Sequence, residues 1–173
     1  MMNNLYSEKL IYRYYSSPIG ELLIAGNDEG LHLIGFPEGK GKVLPSDEWV
    51  KDPHCLPEVE AQLREYFAGE RKVFDLRLCP HGTEFQLQVL NALLQIPYGS
   101  TSSYLEIAQE IGRPKAVRAV GSANGRNPIP IIIPCHRVIG ADGSLTGFGG
   151  GLPTKQFLLA LEGVGQQSRV LAI

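Results

Sequence analysis

The segment Asn127–Gly140, NPIPIIIPCHRVIG, constrains this chain more than any other stretch of it. Pro128, Pro130 and Pro134 each fix φ and remove a backbone donor, which argues against a helix and predicts an extended edge or buried stretch, set in shape before anything binds. Ile131, Ile132 and Ile133 make dry surroundings for the side chain that follows. A cysteine so placed is ordinarily an inert packing residue, its thiol pushed above the free value of about 8.5. Cys135 is followed directly by His136, however, and an imidazole can take the thiol proton and stabilise the attacking thiolate. Neighbours on a strand point to opposite faces, so the pair needs a turn, or a water between its two groups.

A histidine used as a base needs a third group to orient it. In the helix predicted from Pro153, the apolar face is expected at Phe157, Leu158 and Leu161, and Glu162 lies one turn after Leu158 at its edge. A carboxylate there wants a buried partner, which makes Cys135, His136 and Glu162 a candidate relay. Between these parts runs ADGSLTGFGGGL, where Gly143, Gly147, Gly149, Gly150 and Gly151 let the backbone pass close to a ligand and Phe148 offers a stacking wall. It is not a phosphate loop, and Ala141 stands where a CxxxxxR phosphatase needs its arginine.

The pattern along the chain predicts an α+β protein. Leu10 to Ser16, Glu21 to Ala25 and Leu31 to Phe36 read as an antiparallel meander joined by turns at Ser17–Gly20 and Asn27–Gly30. Residues 37–55 read as an irregular connection; Val59, Leu63, Tyr66 and Phe67 mark a helix from Pro57 to Gly69, and Val73 to Leu78 could return as a strand. The expected boundary falls at Cys79–Gly82, giving a supporting domain at 1–82 and a mostly helical domain at 83–173. In the second domain Thr83–Gln86 and Ser103–Glu106 fit capping boxes, and Pro114 is expected to open a third helix reaching about Asn124. Two short helices around Gly112-Arg113-Pro114 have the shape of a helix-turn-helix.

A 173-residue chain with 43% apolar and 20% charged residues can bury a core. No apolar run approaches the roughly 18–20 residues of a membrane span and no signal-like segment opens the chain, so a soluble, cytoplasmic protein is expected. Three widely spaced cysteines fit neither a disulfide framework nor a CxxC motif, and His54-Cys55 is an isolated pair, so no metal or other cofactor is expected. The net charge of −2 divides unevenly: residues 1–81 hold nine Lys/Arg against thirteen Asp/Glu, residues 82–173 seven against five. Arg113, Lys115, Arg118, Arg126 and Arg137 concentrate positive charge where the helix-turn-helix is expected, the footprint of a polyanionic partner or of a solvated basic face.

Together SYLEIA, RAVGSANGRNP, IPCHRV, TGFGGGL and LLALEG, from about Phe85 to Glu162, resemble the O6-alkylguanine-DNA alkyltransferases, the methylated-DNA–protein-cysteine methyltransferases, of the bacterial type. The resemblance implies DNA repair by irreversible, single-turnover transfer of an alkyl group from O6 of guanine in double-stranded DNA, with O4 of thymine as a further candidate, to Cys135 of a monomeric protein. It implies His136 as base through a water, Glu162 as orienting carboxylate, Asn127 as brace of the turn and Tyr104 as donor to the flipped base. Arg118 is implied as the finger that fills the vacated stack, with Tyr104, Ala119, Gly121, Ser122, Gln86 and Arg113 at the DNA. Pro130, Val138, Phe148, Gly149 and Gly150 are implied as the pocket. Phe148 and Gly149 depart from the tyrosine and serine of human-type members, which removes a hydroxyl and widens the pocket. Two other readings use the same residues: a cysteine hydrolase or acyltransferase, which requires turnover, and a damage-binding module without chemistry, against which Cys135 itself argues.

Overall fold

A computed structural model describes residues 9–164 of the chain, so the outer ends of the two expected domains, 1–8 and 165–173, lie outside the described residues. Three strands, β1 (Ile11–Ser17), β2 (Gly20–Asn27) and β3 (Gly30–Gly35), form the antiparallel meander read from the sequence. The continuous run Leu22–Ala25 reports that β2 is covered on both faces. Leu22 and Ile24 enter the main core, whereas Leu23 and Ala25 join Leu10, Leu33 and Trp49 in a second cluster on the other side. Trp49 belongs to the connection read as irregular, and that connection also adds β4 (Val50–Lys51), paired in parallel with β1 to give the order β3-β2-β1-β4.

The strand expected at Val73 to Leu78 does not form. Only Leu31 and Leu78 bridge, through Leu31 N–H to Arg77 and Cys79 N–H to the Leu31 carbonyl, because further along that edge of β3 the Ile34 N–H is taken by the Pro128 carbonyl at 2.9 Å. The free edge of the sheet is thus spent on the proline segment itself. Helix α1 (Pro57–Phe67) buries Val59, Leu63 and Tyr66 at the predicted spacing and stops at Gly69, whose φ of 76° suits glycine.

Helices α2 (Glu84–Leu93), α3 (Tyr104–Glu110) and α4 (Val117–Gly125) pack on one another in the second half. Thr83 and Gln86 form the full capping box at the start of α2. Ser103 caps α3 by accepting from the Glu106 N–H, but the Glu106 carboxylate accepts from the Ser103 hydroxyl, so the expected reciprocal bond to the backbone is replaced. Pro114 lies in the turn and α4 opens only at Val117, after Ala116 N–H has closed a turn onto Arg113. A two-stranded parallel pair, β5 (Ser102–Ser103) with β6 (Val138–Ile139), ties the entrance of α3 to the exit of the cysteine segment. Helix α5 (Leu152–Leu161) closes the described chain. The molecule is α+β, and no described helix is long and apolar enough to cross a membrane.

Candidate active site

The proline segment is a chain of turns, not the extended stretch its prolines suggested. Asn127 is the reason: its side-chain amide donates to the Ile133 carbonyl at 2.8 Å while its oxygen accepts from Ile129 N–H at 3.0 Å, folding the intervening residues back. Ile131 is thereby held at φ 75°, a left-handed conformation that a β-branched residue avoids at a cost of about 1–3 kcal/mol. A 3-10 turn, Cys135–Arg137, follows and solves the geometric problem of the adjacent pair by placing neighbours on a turn. All three of its residues are buried.

His136 Nε2 donates to Glu162 Oε2 at 2.7 Å. With the proton fixed on Nε2 by the carboxylate, Nδ1 is the lone-pair nitrogen, buried and without a hydrogen-bond partner among the described residues. Glu162 caps the C-terminus of α5 and collects four more bonds. Tyr66 Oη donates to Oε2 at 2.6 Å, Arg137 donates through Nε to Oε1 at 2.7 Å and through Nη2 to Oε2 at 3.1 Å, and Gly99 N–H reaches Oε1 at 3.4 Å. Burial raises the Glu162 pKa, but the bonds from His136, Arg137 and Tyr66 outweigh it and bring the carboxyl down to about 2.

Burial dominates at the other two groups. It pushes the Cys135 thiol up to about 11, against the opposing pull of Asn127 and Lys155. It lowers His136, against the pull of Glu162. At neutral pH the resting pair is therefore a thiol beside a neutral imidazole, and the proton moves only when the sulfur attacks.

Three buried polar residues of this site had escaped the sequence reading. Arg137 was counted with the basic surface, but it exposes only 6% of itself and spends its remaining donor, Nη1, on the Ile96 carbonyl at 2.7 Å. Lys155 is fully buried and donates to the Val138 carbonyl at 2.7 Å, with its pKa lowered by burial. The buried face of α5 is accordingly Lys155, Leu158 and Leu159, leading to Glu162, whereas Phe157 is 38% exposed. Tyr66 comes from α1, in the other half of the chain. The heptad-like spacing of positions 155, 158 and 162 was the available signal for Lys155; nothing local announced the partnerships of Tyr66 or Arg137.

A cleft of about 810 Å³ opens beside Cys135, walled by Phe36, Val43 and Trp49 from the first half and by Asn127, Pro130, Phe148 and Gly149 from the second. Of the expected pocket residues, Pro130, Phe148 and Gly149 line it; Val138 is buried behind it and Gly150 packs on the Phe36 ring. The glycine loop is pinned across the halves: Gly41 N–H donates to the Gly149 carbonyl at 2.7 Å, and the Phe36 and Phe148 rings meet edge to face at 5.4 Å. A Cβ on Gly41 would stand 3.0 Å from the Gly149 carbonyl carbon, so only glycine permits this approach.

Of the expected DNA face, Arg113, Arg118, Ala119 and Ser122 are exposed and Gln86, Tyr104 and Gly121 half-buried. On α4, Gly121 faces the Tyr104 ring with room for a Cβ, which would stand 3.8 Å from it. The Tyr104 hydroxyl is bonded to Thr146 of the glycine loop. Arg113 stands over the Phe85 ring at 5.7 Å, and Gln86, although on the cleft wall, uses its oxygen in the α2 cap. Far from the relay, Glu29, His32 and Cys79 bring ligand-type atoms within 4.8 Å of one another, a grouping invisible in the spacing that had singled out His54 and Cys55. His32 is hydrogen-bonded there through Nδ1 to His81 at 2.9 Å and through Nε2 to Asn27 at 3.0 Å.

A buried cysteine next to a histidine that is bonded to a buried glutamate, beside a cleft and in a domain of short packed helices, is the arrangement expected of a nucleophilic DNA-repair protein. Known families match it over nearly the whole chain: residues 84–164 match the 6-O-methylguanine DNA methyltransferase, DNA binding domain, and residues 10–80 its ribonuclease-like domain. The chain belongs to the 6-O-methylguanine DNA methyltransferase family. The methylated-DNA–protein-cysteine methyltransferase of Methanosarcina acetivorans is 56% identical over 154 residues, 89% of this chain and 99% of that protein. That of Mycobacterium tuberculosis strain H37Rv is 53% identical, covering 87% of this chain and 91% of its own. The crystal structure of M. tuberculosis OGT in complex with DNA superposes with a TM-score of 0.83 at 51% identity, over 88% of this chain and 92% of the other.

Proposed function

We propose that this protein repairs alkylated double-stranded DNA by moving the alkyl group from O6 of guanine to Sγ of its own Cys135, once per molecule. The observation that carries the reading is the 3-10 turn that sets Cys135 on the cleft wall next to His136, which is itself bonded to the buried Glu162. The nucleophilic relatives and the DNA-bound neighbour of similar fold support it.

The step balances without a cofactor. His136 Nδ1 takes the thiol proton, directly or through a water, as the S–C bond forms and the O6–C bond breaks. The electron pair leaves with the guanine as an anion, which the Tyr104 hydroxyl serves as donor. Glu162 holds the imidazole and stabilises its cationic form, and Asn127 keeps the turn in shape. Arg118 fills the gap left by the extruded base, with Ala119, Gly121, Ser122, Gln86 and Arg113 along the duplex. The thioether does not hydrolyse under mild conditions, so the protein is spent. The protein acts as a cytoplasmic monomer, with a supporting domain up to residue 82 and the reactive domain after it.

The test is intact mass after exposure to an oligonucleotide carrying O6-methylguanine. The mass should rise by one methyl in place of one hydrogen, map to the Cys135 peptide, plateau at about one methyl per protein and vanish in Cys135→Ala. A label on Cys55 or Cys79 would overturn the assignment of the nucleophile. Continued turnover would establish a hydrolase or acyltransferase instead.

A further inference from the structure

The acid of the relay is held from both halves of the chain. Glu162 Oε2 accepts from His136 Nε2 at 2.7 Å and from Tyr66 Oη at 2.6 Å, so one oxygen serves the imidazole and the phenol together. Tyr66 is fully buried on α1, packed against the rings of Phe67 and Phe74 of the first half and of Tyr98 of the second, which fix its direction. Its own ionisation is suppressed by burial and by the neighbouring Glu162, so it acts only as a donor. Arg137 Nη2 also donates to this oxygen at 3.1 Å, and each donor that a carboxylate oxygen accepts leaves less negative charge for the others.

We propose that Tyr66 is a positioning residue of the alkyl-transfer relay, its hydroxyl fixing Glu162 Oε2 opposite His136 and limiting the charge that the carboxylate presents to the imidazole. This rests on the alkyl-transfer reading above. Without the hydroxyl, Oε2 would present more charge to His136, the imidazolium would be stabilised and the free base would be lost at higher pH. With it, the imidazole stays neutral until the thiol proton arrives. The N-terminal sheet and helix thus contribute to the chemistry through one oxygen atom as well as by supporting the fold.

The charged and titratable groups facing this pair are few. Arg137 comes from the turn, Lys155 from α5, Tyr98 from the loop after α2 and Cys135 from beside the histidine. None of them is altered by Tyr66→Phe, which keeps the ring and deletes only the donor.

The experiment measures the rate of benzyl transfer from free O6-benzylguanine to Cys135 in the full chain, as a function of pH. In Tyr66→Phe the midpoint of the acid limb should move up by about half to one pH unit, the scale of one bond to a charged group. Replacing Tyr66 by 3-fluorotyrosine, a stronger donor of the same shape, should move it down. In the Glu162→Gln background neither change should have a further effect on the midpoint. Unmoved midpoints in both Tyr66 variants, or a uniform rate loss at every pH with a lower Tm, would overturn the proposal and leave Tyr66 as packing. Should Tyr66→Phe fail to fold, the fluorotyrosine protein alone decides by the sign of its shift. Absence of any transfer to Cys135 in the unaltered protein would instead overturn the functional reading.

Discussion

Arg118 and Arg137 are the same residue type, from the same positively biased stretch, and the structure puts them to opposite uses. Arg118 is exposed on α4, beside the small exposed residues Ala119 and Ser122. Arg137 is buried, with three bonds to Glu162 and Ile96 at 2.7–3.1 Å and its guanidinium 5.8 Å from the Tyr98 ring. The first is left in solvent, as its proposed place at the DNA requires, and the second neutralises an internal charge. A charge count along a sequence therefore overstates a DNA face by whatever fraction of its arginines is committed inside, and burial is what separates the two populations.

The largest effect that tests this contrast belongs to Arg137. Replacing it by methionine leaves Glu162 buried with one cation fewer, and a buried partner removed in this way costs about 3–5 kcal/mol of stability. Denaturant unfolding of Arg137→Met should show that loss, whereas Arg118→Ala should stay within about 0.5 kcal/mol of the parent. Comparable losses in both would mean that the two arginines do not differ as described.

A smaller effect follows from acid. Glu162 is held at about 2 in the folded protein, below the roughly 4.3 of a carboxyl in an unfolded chain. A group lowered on folding adds stability that is full above the unfolded value and is lost as the pH falls towards the folded one. The urea midpoint should therefore drop between about pH 5 and pH 2, and part of that drop should be missing in Glu162→Gln. A Glu162→Gln protein with the parent's full acid sensitivity would assign the effect to other carboxylates.

What could be read from the sequence follows how local each cause is. The Thr83 cap and the glycine stop at Gly69 are decided by neighbours in the chain and were legible. Glu162 was found because an acid on the edge of an apolar face is locally anomalous. The shape of the proline segment was misjudged because it depends on both ends of the Asn127 amide, which sequence pattern does not display. Pro114 was placed in a helix by its propensity for first turns, yet the Ala116 to Arg113 bond closes a turn before the helix begins. Tyr66 reads in the sequence as one apolar position of a helix, and Lys155 is not singled out there. Each acquired its partner only through packing, with Tyr66 and Glu162 96 positions apart.

The finest test concerns Arg118 itself. It follows Val117 and precedes the buried Val120 on α4, so it projects away from the core, on the same helix as Gly121, which faces the Tyr104 ring. Extruding a base from a duplex costs a few kcal/mol of stacking and pairing, and a planar guanidinium inserted in the gap offsets part of it. A free base needs no extrusion. Arg118→Ala should slow repair of O6-methylguanine in duplex DNA by about tenfold, the equivalent of roughly 1.4 kcal/mol, while reacting with free O6-benzylguanine at nearly the parent rate. An arginine that merely touches phosphate predicts a different outcome, a weakening of DNA binding that lower salt restores. Rates on both substrates at two ionic strengths separate these. A duplex defect that persists at low salt and spares the free base establishes the finger. Recovery at low salt reduces Arg118 to a phosphate contact, and a parallel loss on the free base would place its effect in the relay, where of the two arginines only Arg137 is expected to act.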